Sequence, residues 1–77
     1  MSRESYIEKI EEKVNKENDN FNFLAEINND YYGCDITHND NGDLIFIINS
    51  DKEDNAIWPI SELYDDELGK IYEYMCM

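Results

Sequence analysis

The chain has 77 residues, of which 42% are hydrophobic and 13% aromatic, and its 19 acidic and 6 basic residues give a net charge of −13. A chain of this length forms one domain that buries roughly 60 to 65% of its unfolded surface, and its large apolar side chains are too numerous for a disordered acidic tail. The charge opposes direct binding to DNA, RNA or an anionic membrane and favours a basic protein surface as partner.

The sequence also bears on location and on the state of the cysteines. No apolar run approaches the ~20 residues that cross a bilayer, and the first ten residues lack the apolar stretch of a secretory signal. A cytoplasmic location is therefore expected. Cys34 and Cys76 form no C-x-x-C pair, so we expect free thiols rather than a disulfide.

The excess negative charge is concentrated beyond the first helix. Residues 1–17 hold four basic and five acidic side chains and are nearly neutral. Residues 18–77 hold fourteen acidic side chains against Lys52 and Lys70, a balance of −12. Uncompensated acid is therefore expected over the greater part of the folded surface.

The first predicted element is an amphipathic helix that ends near Lys16. Ser2 or Ser5 is suited to its N-cap. Its apolar stripe at helical spacing consists of Tyr6, Ile7, Ile10 and Val14. Because an isolated helix of this length is marginal in water, the stripe is expected to dock against the rest of the domain.

Period-two alternation from Phe21 to Ile27 predicts a half-buried strand. If Asn28 and Asn29 form a two-residue turn, the following strand pairs with it so that apolar side chains share one face. The predicted cross-strand pairs are Ile27 with Asp30, Ala25 with Tyr32, Phe23 with Cys34 and Phe21 with Ile36.

Residues 38–48, HNDNGDLIFII, fit either a hairpin or part of a calcium loop. A calcium loop with Gly42 at its sixth position would have Thr37 first and Ile48 twelfth, where carboxylates are required, so we reject it. A two-residue turn at Asn41 and Gly42 would mix polar and apolar side chains on each face. A three-residue turn at 40–42 with left-handed Gly42 keeps them separate. Its predicted pairs are Ile36 with Phe46, Cys34 with Ile48 and His38 with Leu44.

The remaining chain is predicted to contain a polar loop, a short strand and a helix. Residues 49–55 are polar, and AIWPI at 56–60 is compatible with a fourth strand that Pro59 ends, so three or four strands remain open. One apolar face at helical spacing then comprises Ile60, Leu63, Tyr64, Leu68, Ile71, Tyr72 and Met75.

The C-terminal helix has two alternative beginnings. It is either continuous from Ile60, or it follows a short turn at 60–64 and is capped by Asp65, with Asp66 and Glu67 in its first turn. Gly69 inside this helix indicates a close packing contact or a bend nearby.

These elements predict an α+β fold in one domain of residues 1–77. An N-terminal helix, an antiparallel meander and a C-terminal helix follow in that order, with both helices mainly on one face of the sheet. The opposite, outward face is predicted to carry Asn22, Leu24, Glu26, Tyr31, Gly33, Asp35, Thr37, Ile45 and Ile47. Its apolar members would form a patch for a partner; the alternatives are a helix that wraps over it and a homodimer through it.

Acidic side chains are predicted at both ends of the meander. Asp30, Asp51, Glu53 and Asp54 gather at one end, and Asp19, Asp40 and Asp43 at the other. The candidate partner-binding residues are Glu26, Asp30, Tyr31, Asp35, Ile45, Ile47, Asp51, Glu53, Asp54, Asp65, Asp66 and Glu67.

The sequence contains no recognisable constellation for catalysis. His38 is the single histidine, and beside a hairpin tip it is more typical of a structural or solvated side chain than of a base. No G-x-S-x-G, phosphate-binding glycine loop or Cys-His pairing occurs. The spacing of Cys34, His38 and Cys76 does not indicate a metal site. We therefore expect a non-enzymatic protein without a cofactor.

The chain is short, strongly acidic and poor in cysteine, and it is rich in Asn, Asp, Glu, Ile and Tyr. Its predicted double hairpin is NNDYYGCDITHNDNGDLIFII. In these features it resembles the phage-encoded inhibitors of host defence. Among these are the small anti-CRISPR proteins that mimic DNA. The resemblance lies in composition and element order. It implies an inhibitor in the bacterial host cell whose carboxylates contact the arginines and lysines that otherwise hold nucleic acid. The alternatives are an immunity protein or antitoxin for a basic nuclease toxin, and an oligomeric structural domain.

Overall fold

The computed structural model describes residues 2–49 and 56–76, and it has the predicted α+β architecture. The elements are α1 (Arg3–Lys16), β1 (Asn20–Ile27), β2 (Asp30–His38), β3 (Leu44–Ile48), β4 (Ala56–Pro59), the 3-10 helix η1 (Ile60–Glu62) and α2 (Asp65–Met75). The strands form one antiparallel sheet in the order β1-β2-β3-β4. The fourth strand that the sequence left open is therefore present.

Helix α1 begins where its N-terminal serines predict. Ser2 is the N-cap, and its hydroxyl oxygen accepts a hydrogen bond from the backbone N–H of Ser5 at 3.3 Å. Ile10 and Val14, one helical turn apart, are fully buried. The predicted stripe is thus the face that docks on the domain.

The first hairpin has the predicted register. All four predicted pairs between β1 and β2 are present, from Phe21 opposite Ile36 to Ile27 opposite Asp30. Asn28 and Asn29 have φ values of 51° and 70°, and positive φ at both positions is what a two-residue turn of type I′ requires. Asparagine tolerates this conformation because its short polar side chain bonds locally.

The second hairpin also has the predicted register, with His38 opposite Leu44 and Cys34 opposite Ile48. The N–H of Gly42 donates to the carbonyl of Asn39 at 2.9 Å, and the N–H of Asn39 donates to the carbonyl of Asp43 at 2.8 Å. Gly42 has a φ of 83°. These features define the three-residue turn with a left-handed glycine.

The C-terminal helix follows the second of the two predicted alternatives. It is not continuous from Ile60, because η1 and the extended residues Leu63 and Tyr64 precede α2. Tyr64 rather than Asp65 occupies the N-cap position, since the Glu67 carboxylate accepts the Tyr64 N–H at 2.9 Å. The two extended residues also turn Tyr64 out of the predicted apolar face, and it is 76% exposed.

The hydrophobic core lies between the inward face of the sheet and the helices. Its buried members are Ile10, Val14, Ala25, Cys34, Ile36, Leu44, Phe46, Ile60, Leu63, Leu68, Ile71 and Met75. The two α-helices contact each other and both contact β1, whereas η1 contacts β3. The α-helices therefore lie closest to β1, and Trp58 of β4 remains 42% exposed.

Gly69 of α2 lies against the side chain of Tyr6 in α1. A Cβ atom at this position would lie 3.3 Å from the hydroxyl oxygen of Tyr6 and 3.5 Å from its Cζ atom. The packing reason that the sequence indicated for this glycine is thus the phenol ring of α1.

Candidate functional site

The outward face of the sheet is open, as the sequence predicted. Leu24 on β1 is 67% exposed and Tyr31 on β2 is 70% exposed, while both α-helices pack on the opposite face. Ile45 and Ile47 are half-buried rather than exposed, because β4 lies beside them. Ile57 of β4 lies opposite Ile47 and is 57% exposed, so it extends the predicted apolar patch.

Asp35 lies near the middle of the outward face, and its carboxylate is already bonded within the protein. Asn22, its cross-strand neighbour, donates its side-chain amide to one carboxylate oxygen. The Asn49 amide donates to the other at 2.8 Å. Because both oxygens have internal donors, Asp35 holds the strands in register and offers a partner less free hydrogen-bonding capacity than an exposed carboxylate.

Glu26, Asp30 and Tyr31 lie together beside the turn of the first hairpin. Glu26 is the cross-strand neighbour of Tyr31. Hydrogen bonding to the Glu26 carboxylate, and then its negative charge, raise the pKa of the Tyr31 hydroxyl. Three of the predicted partner-binding residues are thus brought together in one exposed cluster at this end of the sheet.

The predicted acidic residues of α2 lie in the helical layer, away from the outward face. Asp65 pairs with Arg3 at 3.2 Å, and Glu67 binds the Tyr64 N–H. Asp66 is exposed in the same turn. Asp65 and Asp66 are therefore not joined with the Tyr31 cluster, whereas Glu67 lines the same groove as Glu26. Asp51, Glu53 and Asp54 lie outside the described residues.

A groove between α2 and the inward face of the sheet was not predicted. It has a volume of about 850 Å³. The apolar side chains along it include Phe46, Ile48, Trp58, Ile71 and Tyr74. Trp58 of β4 is 42% exposed along this groove, whereas Phe46 of β3 is buried.

A row of nearly parallel aromatic rings crosses the inward face beneath this groove. Tyr74 stacks on Phe23 with ring centres 6.4 Å apart, Phe23 on Phe46 at 6.1 Å, and Phe46 on Trp58 at 6.4 Å. Trp58, at the end of the row, remains 42% exposed. The groove thus has an aromatic floor with one partly open end.

Charged side chains line the same groove. They are Glu26, Glu62, Glu67, Glu73 and Lys70. Four carboxylates against one ammonium group give the lining a net negative charge. Sequence reasoning missed this arrangement because Glu62 and Glu73 fall in ordinary helical positions, and only the placement of η1 and α2 over the sheet makes them line the same groove as Trp58.

His38 has a structural position at the other end of the sheet. Its Nδ1 atom contacts the Asp19 carboxylate, and the neighbouring Thr37 hydroxyl donates to the Asp19 carbonyl. Asn18 and Asp19 are both left-handed, with φ values of 58° and 66°. These bonds hold the tight connection between α1 and β1 against β2.

The described residues contain few charge pairs. Within residues 2–49 and 56–76, no charged side chain is buried, and Arg3 with Asp65 is the only ion pair of a carboxylate with Arg or Lys. The same residues include no group of three or more His, Cys, Asp or Glu arranged to hold a metal ion. In these segments no helix has the length and apolar character needed to cross a membrane.

Comparison of the chain with protein-family models, with curated proteins and with solved structures found no match.

Proposed function

We propose that this protein is a non-enzymatic acidic inhibitor that occupies the basic nucleic-acid-binding site of a partner protein, such as a CRISPR effector nuclease. The observation that supports the proposal is the uncompensated surface charge. Past residue 17 the chain has fourteen acidic and two basic side chains. In the described segments none of the acidic ones is buried, and one of them pairs with an arginine.

The physical basis is competition for the same cations. Duplex DNA presents about one negative charge per 1.7 Å of its axis to the arginines and lysines of a binding groove. A compact domain with extents of 32 × 27 × 22 Å and a net charge of −13 presents a comparable density of carboxylates on a rigid sheet and two helices. Those carboxylates neutralise the arginines and lysines of the partner's DNA-binding groove, and no base-specific contact is needed.

Two surfaces are suited to the apolar part of such a contact. The outward face offers Leu24 and Tyr31 beside Glu26 and Asp30, and Ile57 on the opposite edge strand β4. The groove between α2 and the sheet offers Trp58 in a lining that also contains four glutamates. Charge sets the long-range attraction and the rate of association, whereas these apolar side chains supply the short-range contact.

The test is capture of partners from host lysate on the immobilised protein, at about 0.05 and about 0.5 M NaCl, followed by mass spectrometry and a competition assay with labelled duplex DNA. We expect a basic nucleic-acid-binding protein that is released at high salt and loses its DNA to the inhibitor. A partner bound equally well at both salt concentrations, or one that keeps its DNA, would contradict the proposal.

A further inference from the structure

The groove between α2 and the sheet combines an apolar floor with an acidic rim. Its volume of about 850 Å³ falls in the range of ligand-binding clefts. The floor presents Phe46, Ile48 and Trp58 from the sheet, and Ile71 and Tyr74 come from α2. Such a floor favours apolar side chains, because it removes their surface from water.

The rim selects the charge of the occupant. Glu62 and Glu73 are exposed and line the groove from η1 and α2, and Glu26 and Glu67 add two more carboxylates. Lys70 is the single basic lining residue among the described residues. A cationic side chain in this groove can form ion pairs with the carboxylates of the rim and a cation–π contact with the Trp58 indole.

Three other occupants of the groove are excluded by their charge or by their lack of apolar side chains. A second copy of this chain would bring a net charge of −13 against the same carboxylates. A nucleic acid would be repelled for the same reason. Residues 50–55, SDKEDN, carry no large apolar side chain and three acidic residues against one lysine, so this segment of the chain matches neither floor nor rim.

We infer that the groove between α2 and the sheet is a docking site for a basic amphipathic segment of a protein partner, with its apolar side chains over Trp58 and Tyr74 and its lysines or arginines at Glu62 and Glu73. The inference deepens the proposed function, because it rests on a basic protein as partner and assigns that partner a chemistry and a place. It adds a short-range apolar anchor to an attraction that charge alone would leave unspecific.

The intrinsic fluorescence of Trp58, which is the only tryptophan of the chain, reports directly on the groove. The probe is a synthetic helical peptide made of leucine and lysine, with its leucines on one face. We expect saturable binding, a blue shift of the emission and reduced quenching by acrylamide, since the peptide excludes water from the indole. A peptide in which serine replaces leucine keeps the charge and should bind at least about tenfold more weakly.

Matched charge variants locate the binding. Glu62→Gln with Glu73→Gln removes two charges at the rim, where neither side chain is buried. Glu8→Gln with Glu11→Gln removes two exposed charges on α1, outside the groove. We expect the rim variant to weaken peptide binding on the order of threefold to tenfold, and the α1 variant to leave it nearly unchanged.

The inference is overturned if the leucine–lysine peptide leaves the Trp58 emission unchanged, if the serine peptide binds equally well, or if both charge variants weaken binding alike. These outcomes are independent of the competition with DNA. A protein that displaces DNA from a basic partner yet fails the peptide test retains the proposed function and loses the groove. A protein that binds the peptide but displaces no DNA retains the groove and loses the proposed function.

Discussion

Cys34 shows how one buried side chain couples the fold to pH. It lies in the middle of β2, is 1% exposed, and donates its thiol to the Tyr32 carbonyl at 3.6 Å. Burial, and then the charge of the adjacent Asp35, raise the pKa of the Cys34 thiol to about 11 from an ordinary value of 9.0. The neutral thiol is therefore the form that fits the core.

The raised pKa of Cys34 predicts a loss of stability in alkali. The contribution of the neutral Cys34 thiol to the free energy of unfolding is complete below pH 9.0. It is lost as the pH rises to about 11, because the unfolded chain releases this proton at lower pH than the folded one. The loss is on the order of 2 to 3 kcal/mol. Urea unfolding at a series of pH values should show that the difference in free energy of unfolding between the wild-type protein and Cys34→Ala decreases across this pH range.

The Cys34→Ala variant serves as the control because Tyr31 and Tyr72, whose pKa values are also raised, titrate in both proteins. Their effect cancels in the difference between the two free energies of unfolding. A difference that stays constant from about pH 8 to about pH 11 would show that the buried thiol does not govern this loss.

Residue patterns were sufficient for the hairpins but not for Tyr64. Period-two alternation and the turn residues Asn28, Asn29 and Gly42 predicted both registers, because a one-residue slip would have reversed every side chain. Tyr64 falls on the buried face only if the helical period is continuous from Ile60. The extended backbone at Leu63 and Tyr64 interrupts that period, and spacing alone does not decide between the continuous helix and the broken one.

At the level of elements, Arg3 links the start of α1 to the start of α2. Its guanidinium donates to the carbonyls of Ser61 and Leu63 and to the Asp65 carboxylate. The planar fork of donors suits this triple contact in a way that lysine does not. The break between η1 and α2 is thereby stabilised from the opposite end of the chain, and a local reading of residues 60–65 could not include this contact.

The contact of Gly69 with Tyr6 predicts a measurable coupling between the two helices. Gly69→Ala gains up to about 1 kcal/mol of helix propensity, but its new Cβ atom would lie 3.3 Å from the Tyr6 hydroxyl oxygen. Tyr6→Phe removes that oxygen. We therefore expect Gly69→Ala to be more favourable in the Tyr6→Phe background than in the wild type, as measured by urea unfolding.

A double-mutant cycle of these two substitutions isolates the contact, with Gly33→Ala as the control. A Cβ atom at Gly33 would meet no atom within 4 Å, so Gly33→Ala should show no coupling to Tyr6→Phe. Additive effects at Gly69 within about 0.3 kcal/mol would mean that the Tyr6 ring moves aside freely.

At the scale of the whole molecule, the groove could not be predicted from the sequence, although the strands and the helix that form it could. The register that places Trp58 opposite Phe46 follows a polar stretch of sequence at 49–55 whose length does not determine strand pairing. The groove itself depends on where α2 lies over the sheet, and helix–sheet placement follows from the sum of core contacts rather than from any local motif.

The net charge of −13 predicts that salt stabilises the fold. Carboxylates that lack a basic partner repel one another more in the compact state than in the expanded unfolded chain. Screening becomes effective once the Debye length falls below about 10 Å, near 0.1 M salt. We expect the Tm, followed by circular dichroism, to rise on the order of 5 °C between about 0.01 and about 0.3 M NaCl.

A charge-reduced variant tests whether repulsion causes this stabilisation. Glu8→Gln, Glu11→Gln, Glu62→Gln and Glu73→Gln together remove four negative charges and change the net charge from −13 to −9. The Tm of this variant should be higher than that of the wild type at low salt and should depend less on salt. Tetramethylammonium chloride should act like NaCl, because screening depends on ionic strength rather than on the cation. Equal salt dependence in both proteins, or stabilisation by sodium alone, would identify cation binding instead of repulsion as the cause.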